Sequence, residues 1–153
     1  KYNLKFDFTY INVQILINNQ NKYLFGTQKN KNFTEIISVG GTLRLENNKK
    51  IKNTNDITEY AIKEIEIETN IIPQKNKLNY LDIIINNNIC TFLFKYNIEK
   101  YNPPILKLGE FEGETLLNKK EIFSNKRFRP NTRLKSIQNF FKKCILKKQL
   151  KEN

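Results

Sequence analysis

Apolar and polar positions follow strand-like patterns in the first quarter of the chain. The segment 6–17 is rich in β-branched and aromatic residues, which predicts one or two strands. The polar run 18–21 predicts a turn, and 23–26 then begins the return strand of a hairpin. The short apolar run 36–39 predicts a buried strand that leads into Gly40–Gly41, where the chain must turn or approach another group closely.

A helix is predicted over residues 56–69. Asp56, followed three residues later by Glu59, has the form of a capping box with Asp56 as the N-cap. Three apolar residues at helical spacing predict its buried face: Ile57, Ala61 and Ile65.

The rest of the pattern predicts two strands and a closing helix. The strands are expected at 78–85 and 89–94, and the acidic loop 110–114 follows them. The helix is expected at 132–149, because five apolar residues share one of its faces: Leu134, Ile137, Phe141, Cys144 and Ile145. We therefore expect a single domain over residues 1–153, in which a mixed sheet lies between helices in an α+β arrangement.

The net charge of +12 favours polyanionic partners such as nucleotides or RNA. Since the basic residues are scattered among many Asn and Ile residues, a compositional bias of the coding sequence is the favoured explanation. The last helix has the same two interpretations, an RNA-contacting surface or a lysine-rich outer face. The second is favoured because no aromatic residue lies among its outer lysines.

Composition also excludes several kinds of site. The chain has no histidine, which excludes imidazole bases and histidine-ligated metals. Cys90 and Cys144 stand alone in apolar surroundings and are predicted to be buried thiols of an intracellular, reducing compartment. No apolar run reaches the roughly 18 residues that a membrane span requires, so no membrane association is expected.

The stretch from Gly40–Gly41 to Ile71 resembles the Nudix box. That motif has a Gly, five residues, a Glu, seven residues, and then Arg-Glu-apolar-any-Glu-Glu-any-Gly-apolar; here the helical part is Lys63-Glu64-Ile65-Glu66-Ile67-Glu68-Thr69-Asn70-Ile71. The hairpin before it and the strands, acidic loop and helix after it also fall where the family has them. The resemblance implies a Nudix-like α/β/α sandwich.

The resemblance also implies a set of site residues. Glu64 and Glu68 are expected to bind Mg²⁺ or Mn²⁺ together with the carbonyl of Gly40 and Glu110, because carboxylates four residues apart share one side of a helix. Glu64, Glu68 and Glu112 are expected to act in catalysis. Two basic residues are expected to contact phosphate: Lys63 and Arg44.

The chain departs from the box at several positions. Lys63 replaces its Arg, Asn70 replaces its last Gly, and Asn55 or Glu46 takes the place of its first Glu, because the intervening loop is longer. Most importantly, Ile67 replaces one of the paired glutamates, so one metal ligand is missing. Glu66 does not substitute for it, because it points to the other side of the helix.

The implied function is that of a divalent-metal-dependent pyrophosphohydrolase, impaired by the lost ligand. Its substrate would be a nucleoside diphosphate linked to another moiety, in a nucleotide, a nucleotide sugar or an RNA cap. The alternative is an inactive Nudix-fold module that binds a nucleotide, RNA or a protein partner. The two differ in whether Glu110, Glu112 or Glu46 replaces the missing carboxylate in space.

Overall fold

The computed structural model describes residues 8–29, 34–45, 51–109, 111–124 and 137–144. Seven strands form one mixed sheet, and residues 137–144 are helical. In chain order the other elements are β1 (Tyr10–Asn19), β2 (Lys22–Lys29), β3 (Thr34–Ile37), β4 (Val39–Arg44), α1 (Thr54–Glu68), a 3-10 helix (Lys75–Lys77), β5 (Leu78–Asn86), β6 (Ile89–Asn97), β7 (Gly113–Asn118) and α2 (Lys119–Ser124).

Strand β1 organises the sheet. It pairs in parallel with β6 along its length, and antiparallel with β2 at one end and β4 at the other. Strand β2 continues the sheet to β3 and β7, and β6 continues it to β5. The predicted hairpins are confirmed: residues Gln20 and Asn21 turn between β1 and β2 with positive φ angles.

Both faces of β1 are buried, each under a different helix. The side chains of Ile11, Val13, Ile15 and Ile17 pack in one cluster with three residues of α1: Ile57, Ala61 and Ile65. On the opposite face, Leu16 packs in a second cluster with Tyr23, Phe25, Ile122, Ile137 and Phe141. The predicted sandwich, with α1 on one face and the last helix on the other, is confirmed within the described residues.

Two sequence-based details are wrong. Helix α1 begins at Thr54 and its N-cap is Asn53; Asp56 is the third helical residue, which completes a capping box with Asn53. Glu59 does not take part in that box, and its carboxylate binds Lys75 Nζ at 2.6 Å. Of the two alternatives for Gly40–Gly41, the turn is wrong, because the pair lies within β4 opposite Gln14 and Val13 of β1, and the close approach to other groups is present.

The predictions for Glu46, Glu110, Leu134 and Ile145 lie outside the described residues. Cys90 is buried as expected, whereas Cys144 is only half-buried, and both are free thiols. In the described part of the chain, no helix is long and apolar enough to cross a membrane.

Candidate active site

Helix α1 presents Glu64 and Glu68 to strand β4. The burial of its apolar residues fixes its rotation, and the two glutamates lie one turn apart beside the buried face. The carboxylate of Glu68 accepts a hydrogen bond from the backbone N–H of Gly40 at 3.0 Å. The predicted meeting of these glutamates with the glycine pair is therefore present in the structure.

Gly41 allows the helix to approach the strand closely. A Cβ atom at this position would lie 2.4 Å from the Tyr60 hydroxyl and 2.8 Å from Cδ of Glu64. A side chain at this position would therefore force the Tyr60 hydroxyl and the Glu64 carboxylate to move, so glycine lets both groups lie directly against β4. The requirement is a close approach and not a turn.

Gly40 is enclosed from the other side of the sheet. Its φ angle is +157°, and a Cβ atom there would lie 2.1 Å from the Val13 carbonyl oxygen and 2.8 Å from Nε2 of Gln14. The Gln14 amide donates to Asn12 Oδ1 at 2.6 Å and accepts a hydrogen bond from the Ser38 hydroxyl. Asn12 donates in turn to Thr42 Oγ1 at 2.7 Å. This buried polar chain supports β4 behind the glycine pair.

A cleft of about 600 Å³ lies between the outer side of α1 and strand β4. Ile67 forms part of its wall and is 46% exposed, which places the apolar residue where the box would supply a carboxylate. Lys63 and Glu64 are on the same wall, so the cleft offers charges of both signs. Its lining comprises Thr42, Leu43, Ile51, Asp56, Glu59, Tyr60, Lys63, Glu64 and Ile67.

The C-terminal end of α1 is held by residues 105–107. The N–H of Lys107 donates to the Glu68 carbonyl at 2.9 Å, and the N–H of Asn70 donates to the Ile105 carbonyl at 2.8 Å. The ammonium group of Lys107 donates to the Glu66 carbonyl at 2.8 Å, a favourable position for a cation at a helix C-terminus. These contacts fix the last turn, in which Glu68 lies.

Glu114 anchors this connection, a role that the sequence did not indicate. Its carboxylate accepts hydrogen bonds from the backbone N–H groups of Ile105 and Leu106 at 2.7 and 2.9 Å. It also accepts one from the Tyr101 hydroxyl at 2.7 Å. Burial raises the pKa of Tyr101 well above its ordinary value, and this hydrogen bond is the second, smaller cause of the increase. Glu114, the last residue of the predicted acidic loop, lies in β7 and is thus a structural carboxylate.

The remaining predicted residues are more dispersed. Glu112 is exposed, and its carboxylate accepts a hydrogen bond from the backbone N–H of Lys29 at 2.8 Å. Arg44 lies three residues beyond Gly41, which faces α1, and so points to the opposite face of the sheet. Among the predicted residues, Lys63 and Glu64 line the cleft, whereas Arg44, Glu68 and Glu112 do not.

The oxygen donors near the glycine pair suit a hard divalent cation in kind but are few. Carboxylate and carbonyl oxygens are the ligands that Mg²⁺ and Mn²⁺ prefer. Among the described residues, however, no three acidic or cysteine side chains are grouped closely enough to hold a metal ion. Glu64, Glu68 and the Gly40 carbonyl could therefore supply only part of the coordination of such an ion, and water or a bound ligand would supply the rest.

Comparisons with known proteins bear on the fold. No protein-family model and no curated protein matches the chain. Among solved structures, it is similar to MutT from work on Aliivibrio salmonicida and Vibrio cholerae, with a TM-score of 0.57, 9% identity and coverage of 86% of this chain and 95% of the other. A NUDIX hydrolase from Nitrosomonas europaea gives a TM-score of 0.53, 14% identity and coverage of 86% of both chains.

A third similar chain comes from the complex between the C-terminal domain of mouse MUTYH and human PCNA. It gives a TM-score of 0.55 and 11% identity, and the match covers 88% of both chains. At such low identity these similarities concern the fold, and each extends over most of both chains. They confirm the resemblance found in the sequence: this chain has the Nudix fold.

Proposed function

We propose that this protein is a Nudix-type pyrophosphohydrolase of reduced metal affinity. Its substrate would be a nucleoside diphosphate linked to another moiety, bound in the cleft between α1 and β4. The observation that carries the proposal is the convergence of Glu64 and Glu68 on the glycine pair, with the Glu68 carboxylate 3.0 Å from the Gly40 nitrogen. When bound, a divalent ion would neutralise phosphate charge and activate a water molecule.

The protein's own residues would bind and orient the ligand. Lys63 lines the cleft and would contact phosphate oxygens as a point charge, without the planar fork of an arginine. Glu64 and Glu68 would hold the cation, and the diphosphate would supply the oxygen atoms that Ile67 does not. Tyr60, also on the wall, offers a hydroxyl group beside Glu64 for positioning.

The test is a phosphate-release screen of nucleotides, nucleotide sugars and RNA caps with Mg²⁺ or Mn²⁺. Glu64→Gln and Glu68→Gln should each lower turnover by about two orders of magnitude. Thermal stability should change little, because the amide oxygen introduced by Glu68→Gln can still accept the Gly40 hydrogen bond. Glu66 is an exposed residue of the same helix. Glu66→Gln is therefore the matched control, and this variant should keep full turnover.

Two outcomes would count against the proposal. Equal losses of turnover in Glu66→Gln and Glu68→Gln would mean that turnover depends on the net charge of the helix and not on the position of the carboxylate. Unfolding of both Glu64→Gln and Glu68→Gln would assign these residues a structural role instead.

The second candidate is an inactive module that binds the same kind of ligand. The apolar Ile67 on the cleft wall favours it, because that side chain supplies no ligand atom where the box requires one. A similar fold occurs in the complex of MUTYH with PCNA, so a protein-binding role is also compatible with the fold. Nucleoside diphosphate binding in calorimetry, without phosphate release for any substrate, would select this candidate.

A further inference from the structure

Helix α2 is short, and a cap at its start and one buried residue fix its orientation on the sheet. Asn118 and Glu121 cap it reciprocally: the Asn118 N–H donates to the Glu121 carboxylate at 3.1 Å, and the Glu121 N–H donates to Asn118 Oδ1 at 2.8 Å. Ile122 is completely buried in the cluster on the sheet face opposite α1. The cap and this anchor determine which side chains of α2 face solvent.

The solvent-facing side of α2 combines an aromatic ring with two lysines. Phe123 is 47% exposed, so part of its ring is open to solvent. Lys119 and Lys120 are also exposed and lie four and three residues before it, on the same side of the helix. Glu121 lies on the other side, and its carboxylate is engaged in the cap.

The neighbouring helical segment 137–144 adds a third cation. The side chain of Gln138 donates to the Ile122 carbonyl at 3.2 Å, so this flank of the segment faces α2. Lys142 is one turn further along the same flank and is exposed. Lys143 points to the opposite flank, where its ammonium group is 3.8 Å from Asp82. We call Phe123, Lys119, Lys120 and Lys142 the basic aromatic patch.

We propose that the basic aromatic patch binds single-stranded nucleic acid. An exposed ring can stack on a nucleobase, and lysines around it can contact the flanking phosphates. The net charge of +12 supports association with a polyanion. A single strand fits better than a duplex, because only unpaired bases can stack on a protruding aromatic side chain.

The patch is separate from the candidate active site. Ile122 and Ile137 belong to the cluster on one face of the sheet, whereas α1 packs on the other. Binding at the patch therefore does not depend on the cleft or on hydrolysis. Failure of either proposal leaves the other standing.

The experiment is fluorescence anisotropy with a labelled single-stranded RNA of about ten nucleotides, within the usual range of site sizes. Phe123→Ala should weaken binding about tenfold or more, and Phe123→Tyr should keep wild-type affinity because its ring still stacks. The double variant Lys119→Gln/Lys120→Gln should lower the slope of log affinity against log salt by about 0.7 for each lost phosphate contact.

Matched controls lie on other parts of the surface. Tyr80→Ala removes another exposed ring, and Lys52→Gln/Lys100→Gln removes the same charge from exposed positions. Both controls should keep most of the affinity, and a duplex of equal length should bind more weakly. Equal effects in the controls, equal duplex binding or no binding at low salt would each overturn the proposal.

Discussion

At the scale of single residues, Ile67 and Glu68 are adjacent, but Glu68 keeps a carboxylate of the Nudix-box pattern whereas Ile67 lacks one. The box resemblance predicted that Glu68 meets the glycine pair and that Ile67 removes a ligand, because helical spacing alone determines which side each residue occupies. It could not predict that Tyr60 crowds Gly41 or that Glu114 holds residues 105–106, since these contacts join segments far apart in the chain. Long-range contacts of this kind depend on packing.

The residue-scale prediction concerns Ile67→Glu. A new carboxylate on the cleft wall should tighten Mg²⁺ binding by about tenfold or more, because a unit negative charge about 4 Å from a divalent ion contributes on the order of 2 kcal/mol even in water. Titration calorimetry on the two proteins measures it. Ile72→Glu is the control. Ile72 is 89% exposed beyond the end of α1, so this substitution adds the same charge away from the cleft. Equal affinities in all three proteins would contradict the assigned role of position 67.

At the scale of elements, the sequence located α1 but not its first residue. Asn53, Asn55 and Asp56 can all cap a helix, so the pattern contained competing start signals. In the structure Asn53 accepts the Asp56 N–H at 3.2 Å, while Asp56 accepts the N–H groups of Lys52 and Asn53. The start one turn earlier leaves Glu59 free to pair with Lys75 on the surface.

The element-scale prediction follows from that cap. Asn53→Ala should lower the free energy of unfolding by about 1 kcal/mol, because the Asp56 N–H loses the side-chain oxygen that accepts its hydrogen bond. The melting temperature should then fall by roughly 2 to 4 °C. Asn55→Ala is the matched control, because Asn55 is an exposed first-turn residue without the capping role. A larger loss in Asn55→Ala would be inconsistent with Asn53 as the cap.

At the scale of the whole molecule, the sequence predicted the layers but not the order of the strands. The many β-branched and aromatic residues in the segment of β1 predicted a strand, and the two predicted helices each showed one apolar face. The three partners of β1, one parallel and two antiparallel, depend on pairings between segments far apart in the chain. Local periodicity carries no information on such pairings. Burial on the two faces of the sheet also raises the pKa values of several side chains, and these pKa values determine how the free energy of unfolding changes at alkaline pH.

The whole-molecule prediction is a loss of stability at alkaline pH. Burial raises the pKa of Cys90 from its ordinary 9.0 to about 11, and it also raises the pKa values of Tyr23 and Tyr101. All three groups are neutral when protonated, so above about pH 9 the folded state holds more protons than the unfolded state. The free energy of unfolding must then fall as pH rises.

Cys90 alone should account for about 2 kcal/mol of this loss between pH 8 and pH 11, because each unit of pKa difference corresponds to about 1.4 kcal/mol. Urea unfolding at a series of pH values measures the loss. Cys90→Ala should start from a lower stability at pH 7, because it leaves a small cavity, and should then lose less between pH 9 and 10. Tyr101→Phe should flatten the curve only above pH 10, where the unfolded phenol begins to ionise. A rise in stability from pH 9 to 10, or parallel curves for Cys90→Ala and the unchanged protein, would mean that burial of Cys90 does not oppose its ionisation.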